Sequence, residues 1–352
     1  ARPARYESWL DMRAKLHRCL GFTSAYFILV GSVIGSGVFL VAAEIATAVP
    51  SPALALAVWV AAGLISLAGA LIFAELGAMY PAAGGQYVFL QKAFHPVVSF
   101  LFGWALILVI QTGSIAAVGV GFARFLSHFV PLAPTSMKIV ASLLIAALTL
   151  LNTRGVKAAA YFLDGVTSLK VVAILALVAA CLLLPHQGAE PLAAAPTTFS
   201  ALGVALIASF WAYDGWTSLS FVAGEIEKPQ RNIPLASLAG IASVTALYVL
   251  VNLGYYRVLA AADIAHSSFV AADAAKAVLG GWGERALTVL VLLSAVGCIN
   301  GLILSGARVV YAMGRDGSLP AVCARVNAKT HTPDGALWLQ CTWSLVLVWS
   351  GS

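Results

Sequence analysis

Eight blocks of apolar residues, each fifteen residues or longer, run through this chain with most of the charged residues in the gaps between them. They are Phe22 to Thr47, Ala53 to Met79, Val97 to Leu126, Met137 to Leu151, Ala160 to Leu184, Ser200 to Ala223, Ala236 to Leu259 and Arg285 to Met313. As helices they can each cross roughly 30 Å of hydrocarbon, the short fourth only if it stands nearly upright. A ninth run begins at Ala336 and reaches the last residue, Ser352. Only 10% of residues are Asp, Glu, Lys or Arg against 61% apolar, and the mean hydropathy is +0.95. So few charges cannot cover a water-soluble particle of this size, which excludes a soluble globular enzyme. The expected fold class is all-α and polytopic in a lipid bilayer, with the sequence stopping within a ninth transmembrane helix as part of a longer protein.

The net charge of +6 is orientation charge, and no nucleic-acid partner is expected. Alternating the connections from the N-terminus places fourteen Lys and Arg residues on one side, five on the other and Lys170 inside a span. That bias predicts a cytoplasmic N-terminal segment over residues 1–21. The stretch Ser268 to Leu279 reads as an amphipathic helix lying over the outer mouth. The apolar run from Phe22 is too long for a signal peptide and is expected to remain as a span. The five cysteines are scattered, without metal-ligand spacing or a disulfide framework, so no metal is expected. All six histidines fall outside the spans, which disfavours a histidine proton relay. A membrane-embedded hydrolase would need a nucleophile with a base, or paired metal ligands, at membrane depth, and neither is present in the sequence.

All fourteen prolines fall at span ends or in connections, so a break within a span has to come from glycine. The first span carries GSVIGSGVF with Gly31, Gly35 and Gly37, and the sixth carries FWAYDGWTSL with Asp214 beside Gly215. These positions predict two discontinuous helices, although the same small residues also suit a close helix packing face. A broken helix in a membrane exposes peptide groups that need partners, so it persists where it lines an enclosed cavity. Free N–H groups near Ser36 and Gly37 would receive a carboxylate, and carbonyls released around Val33 and Trp211 would receive an ammonium group. Together they suit a zwitterionic amino acid.

Lys170 lies too deep in its span to reach either interface, and Asp164, six positions earlier, is on another helical face, so its partners must come from other helices. It either ties broken helices together as a fixed charge or gains and loses a proton. Asp214 either caps a second half-helix or faces the cavity. Trp211, Tyr213 and Trp216 lie too deep for an interfacial belt and read as cavity wall or gate. Ser114, Asn252, Asn300 and Ser305 are mid-span polar residues suited to hydrogen bonding between helices.

Taken together, GSVIGSGVF, AELGAMYPAAGGQYVFLQKAF, Lys170 and FWAYDGWTSLSFVAGEIEKPQRNIPLA resemble the amino acid, polyamine and organocation (APC) superfamily, and most of all a bacterial branch of its L-type amino-acid transporter (LAT) family. The resemblance implies a LeuT-type fold of two inverted repeats: a first five-helix repeat over 22–184 and an incomplete second over 185–352. It implies that backbone at Gly35, Ser36 and Gly37 holds a substrate carboxylate. Val33, Trp211 and Asp214 carbonyls would take the amine, with Ala212 in the same binding stretch. It also implies that Trp211 is an aromatic gate, that Ser114 and Trp216 line a side-chain pocket, and that Lys170 stands where sodium-driven relatives bind an ion. The implied activity is sodium-independent exchange of L-amino acids across the plasma membrane by alternating access. A proton-coupled symporter is the alternative, and an amino-acid sensor without transport a remote one. No cofactor is implied. Ser127 to Ser136 contains no cysteine, so no disulfide-linked accessory subunit is expected.

Overall fold

The computed structural model describes residues 16–35, 37–49, 51–184, 198–267 and 269–351. Helix α1 (Phe22–Val33) and α2 (Gly37–Ala48) form one bent pair, with 46° between their axes. α3 (Pro52–Met79) is followed by the short α4 (Gln86–Ala93). α5 (Pro96–Ala105) continues through one π-helical turn, Leu106–Ile110, into α6 (Gln111–Leu126). Then come α7 (Pro134–Thr153), α8 (Val156–Leu183), α9 (Phe199–Tyr213), the single turn α10 (Ser218–Phe221) and α11 (Pro229–Val258). α12 (Ala261–His266), α13 (Val270–Leu279), α14 (Gly281–Asp316) and α15 (Asp334–Ser350) complete the described chain. Among the described residues the only β pairing is one isolated parallel bridge between Leu20 and Ile226.

The protein is all-α and multi-pass. Among the described residues, six helices or helix runs, α3, α5–α6, α7, α8, α11 and α14, are long and apolar enough to cross a membrane, and the bent α1–α2 pair makes a seventh. Proline starts α3, α5, α7 and α11 at their first turn, where its missing N–H costs nothing. α7 has twenty residues, five more than the apolar block alone indicated, because Pro134, Thr135 and Ser136 join its first turn and Asn152 and Thr153 its last. α11 likewise begins seven residues before the expected Ala236, which brings Pro234, expected in a connection, inside the helix. Pro234 is the sixth residue of α11 and forfeits one helical hydrogen bond there. The predicted amphipathic segment is helical from Val270, with Ser268 outside the described residues, and a further short helix, α12, precedes it.

α1 is enclosed by α8, α11 and α14, while α9 packs on α2 and α3. α14 is the most buried of the spans and α7 the least. Large apolar side chains such as Leu64, Ile72, Leu143 and Val172 point out of the bundle, as lipid-facing positions require. Buried polar side chains join the helices inside. Asn300 donates to the Ala159 carbonyl at 3.1 Å and accepts from Asn152 at 2.8 Å, and Gln111 donates to the Leu302 carbonyl at 2.8 Å and to Ser305 Oγ at 3.1 Å. Asn252 and Ser114 instead bond within their own helices, to Tyr248 and Ile110 carbonyls.

The end of the bundle where connections 80–95, 222–228 and 317–320 meet is tied in three ways. The backbone N–H groups of Cys19 and Leu20 donate to the Glu225 carbonyl, and Glu227 N–H returns a bond to Leu20. The Glu225 carboxylate receives two bonds from Arg308, at 2.8 and 3.0 Å, with both side chains fully buried. Arg308, counted above as an orientation charge, is thus spent inside the protein. Tyr87 on α4 donates to Asp316, which also accepts from Gln91. Burial, then the Asp316 carboxylate, pushes the Tyr87 phenol up to about 12, so it remains a donor at neutral pH.

Removing one partner of a buried ion pair leaves the other charge uncompensated. Arg308→Ala is therefore expected to lower stability by about 3–5 kcal/mol. The double replacement Arg308→Met with Glu225→Leu should be much milder, as read by thermal unfolding in detergent.

Candidate functional site

The two glycine-rich stretches singled out in the sequence are both breaks, and they meet. α1 ends at Val33, after which Ile34 leaves helical geometry and the Gly35 N–H turns back to the Val33 carbonyl at 2.8 Å. Ser36 lies outside the described residues, and α2 starts at Gly37. α9 ends at Tyr213. Asp214 turns extended there, its N–H on the Trp211 carbonyl, and Gly215 takes φ +111°, a conformation that favours glycine.

The contact between the breaks is main chain against main chain. A Cβ on Gly37 would lie 2.6 Å from Ala212 Cα, and one on Gly215 would lie 2.6 Å from the Ser32 carbonyl oxygen. Neither position has room for a methyl group. Gly35, by contrast, faces open space, with nothing within 4 Å of where its Cβ would be.

Breaking α1 releases carbonyls that no helical N–H can reach, and buried side chains supply their partners. Lys170 on α8, fully buried, donates to Ile34 at 2.9 Å and to Gly31 at 3.3 Å. Its Nζ lies against Gly297 of α14, and Ser294 of α14 donates to the same Ile34 carbonyl at 3.3 Å. Lys170 therefore stands between the first broken helix and α14. Tyr248 on α11 places its hydroxyl 3.0 Å from the Val33 carbonyl and 2.9 Å from the Ala212 carbonyl, sharing a single proton between the two breaks. Its ring is held by Trp59 and Tyr213, and Tyr213 itself donates to the Trp59 carbonyl.

A cavity of about 220 Å³ begins at Gly35 and extends between α6 and α14, lined by Ala117, Val118, Gly121, Phe122, Phe125, Val291, Ser294, Ala295 and Cys298. No lining side chain carries a formal charge, and polarity comes from the Ser294 hydroxyl and the Cys298 thiol. At the far end the Phe125 ring meets Phe269, 5.7 Å between centroids. Gly121 lines this cavity and also a second one towards α7 and α15, and a Cβ there would meet nothing within 4 Å.

Of the residues singled out from the sequence, Val33, Gly35, Gly37, Ala212 and Lys170 come together at the crossing. Asp214 is exposed at the end of α9. Trp211 is 58% exposed. Trp216 packs edge-on against Phe73 and over Gly69 of α3, and Ser114 turns to its own helix one turn before the cavity wall. Sequence reasoning did not select Tyr248, Ser294, Cys298 or Gly121. A mid-span tyrosine has the same signature as an ordinary packed aromatic, and nothing in its local pattern marks two acceptors on other helices.

An all-helical membrane protein with two interrupted helices crossing beside a small uncharged cavity is the class these features define. The chain belongs to the amino acid permease family, which it matches over residues 20–350. That is a family of transporters, not enzymes. It is 31% identical to the b(0,+)-type amino acid transporter 1 of Homo sapiens over 338 residues, covering 92% of this chain and 68% of that protein. It is 27% identical to the cystine/glutamate transporter of Homo sapiens, covering 96% and 69% respectively. To the large neutral amino acids transporter small subunit 2 of Homo sapiens it is 30% identical, covering 95% and 64%.

Gly215→Ala forces an L side chain into a positive-φ site already in contact with Ser32. It is expected to abolish transport and cost of order 1–3 kcal/mol in stability, measured by uptake and by thermal unfolding. Gly121→Leu fills space that is open here. It should leave stability nearly unchanged while weakening uptake of bulky amino acids more than of alanine, as measured by competition.

Proposed function

We propose that this protein exchanges L-amino acids across the plasma membrane, independently of sodium, by alternating access around the α1–α2 and α9–α10 breaks. The two breaks belong to two inverted repeats, 22–184 and 185–352, and the N-terminus is cytoplasmic in keeping with the distribution of Lys and Arg. The observation that carries this reading is the main-chain crossing itself. It puts the start of α2, a positive helix end, beside the carbonyls of Val33 and Ala212, and Gly35, within the first break, lines one small cavity.

In this reading the substrate carboxylate takes the Gly35–Gly37 backbone, including Ser36, and the ammonium group takes the carbonyls now shared by the Tyr248 hydroxyl. The carbonyl of Trp211, its indole as a gate, and Asp214 complete the binding stretch from α9, while Ser114 and Trp216 engage when the helices rearrange. The ammonium of Lys170 already satisfies the Gly31 and Ile34 carbonyls, which leaves no site there for a sodium ion. A wall without formal charge between α6 and α14 selects uncharged side chains, because a buried unpaired charge is costly. No disulfide-linked subunit is expected, since the connection between α6 and α7 has no cysteine.

The test is uptake of labelled alanine by proteoliposomes containing the complete polypeptide, with and without internal unlabelled amino acid. Uptake should require internal substrate, ignore sodium and be competed by leucine and serine far better than by arginine or glutamate. Uptake that ignores internal substrate and follows an imposed pH gradient would reject exchange in favour of proton symport. Lys170→Met should reduce exchange at least tenfold by exposing the Gly31 and Ile34 carbonyls.

A further inference from the structure

The first half-helix is held by α8 at both of its ends, and with matching charge. At its C-terminus the Lys170 ammonium caps released carbonyls. At its N-terminus Ser24 donates from Oγ to Asp164 Oδ2 at 2.9 Å. Asp164 precedes Lys170 by six residues on α8, roughly 9 Å along the helix axis. Between these two ties α1 lies close on α8, since a Cβ on Gly31 would come within 2.5 Å of Thr167 Oγ1. The N-cap of α1 is Gly21, which has no side chain to offer, and α1 has no acidic residue in its first turn. The carboxylate that suits the positive end of a helix comes instead from the neighbouring helix.

The two ties differ in how readily they can open. Lys170 is fully buried, and pulling it away would strand an ammonium and two carbonyls in an apolar interior. The Asp164 tie is one hydroxyl bond near the end of the bundle, on a half-buried carboxylate whose other oxygen, Oδ1, is buried without a hydrogen-bond partner in this arrangement. An unsatisfied carboxylate oxygen favours any movement that admits water to it.

We propose that Asp164 is a positioning residue for the transport cycle: the Ser24–Asp164 bond is the separable latch that holds α1 closed against α8, while Lys170 is the pivot that stays. This rests on the alternating-access reading above and adds to it the regulation of one gate. When the latch opens, the start of α1 moves away from α8 about the Lys170 contact, carrying with it the 225–227 segment bonded to Cys19 and Leu20, Asp164 is hydrated, and the cavity gains access from the cytoplasmic end.

The experiment compares Asp164→Leu, Asp164→Asn, Ser24→Ala, Ser24→Thr and the Asp164→Leu/Ser24→Ala pair in the complete polypeptide. In proteoliposomes, half-saturation is measured separately for substrate added outside and inside. Loss of the latch should change the outside-to-inside ratio by roughly three- to tenfold, towards weaker outside and tighter inside affinity. The pair should change it no more than either single variant, because both remove one bond. Asp164→Asn and Ser24→Thr, which keep an acceptor and a donor, should stay close to the parent.

A second readout does not depend on transport. Native Cys19, which adjoins the start of α1 and is half-buried, should be alkylated several-fold faster in Asp164→Leu and Ser24→Ala. Should Asp164→Leu fail to fold, Ser24→Ala against Ser24→Thr makes the same comparison. Unchanged affinity ratios and unchanged Cys19 alkylation in a working exchanger, or single effects that multiply in the pair, would overturn the latch while leaving exchange intact. A parent protein that does not exchange, but in which Cys19 alkylation still follows the Ser24 and Asp164 variants, would overturn the transport reading and keep the latch.

Discussion

Peptide groups set free inside a membrane must find partners within the protein, and this fold is arranged around meeting that demand at one place. Interrupting α1 releases the Gly31, Val33 and Ile34 carbonyls at mid-depth. Lys170, Tyr248 and Ser294, each on a different helix, are directed at them. The position of α8, α11 and α14 around α1 follows from this, since each must bring one donor to the same few atoms. A continuous first helix would leave Lys170 with no acceptor and no reason to be buried.

The same principle explains why the closed end of the bundle is polar inside. Glu225 and Arg308 are both fully buried, and each is tolerated because the pairing is two-pronged and because the Glu225 backbone also serves Cys19 and Leu20. That arrangement fixes the segment preceding α1 to the segment following α10. The two breaks are therefore linked both at their crossing and at this end. A displacement of one half-helix has to be accommodated by the other.

Much of this was legible in the sequence because the signals were ones of exclusion. Long apolar blocks leave only membrane helices, proline confined near their ends leaves glycine as the breaker, and a lysine deep in a span has to be paired. The seven apolar helices and both breaks follow from such arguments. What was not legible depends on convergence of residues far apart in the chain. Tyr248 has partners 215 and 36 residues away, and Glu225, in the 222–228 connection, meets Arg308 of α14 by an approach that no local pattern encodes. The sequence also drew attention to Trp216 as part of a cavity wall, because depth alone does not say which way a ring points. Here it turns to Phe73 and Gly69 on α3. Pro234 entered α11 for a related reason: hydropathy marks where a helix is buried in lipid, not where its backbone first becomes helical.

A phenol has one hydrogen to give, and Tyr248 stands between two oxygen atoms that belong to different interrupted segments. While the segments are near, both are served at once. Once they part, the hydrogen must follow one, and the deserted oxygen has to recruit water or a visiting cation. A single side chain thus converts a small change in spacing between two stretches of polypeptide into an all-or-nothing choice of companion, without changing its own charge.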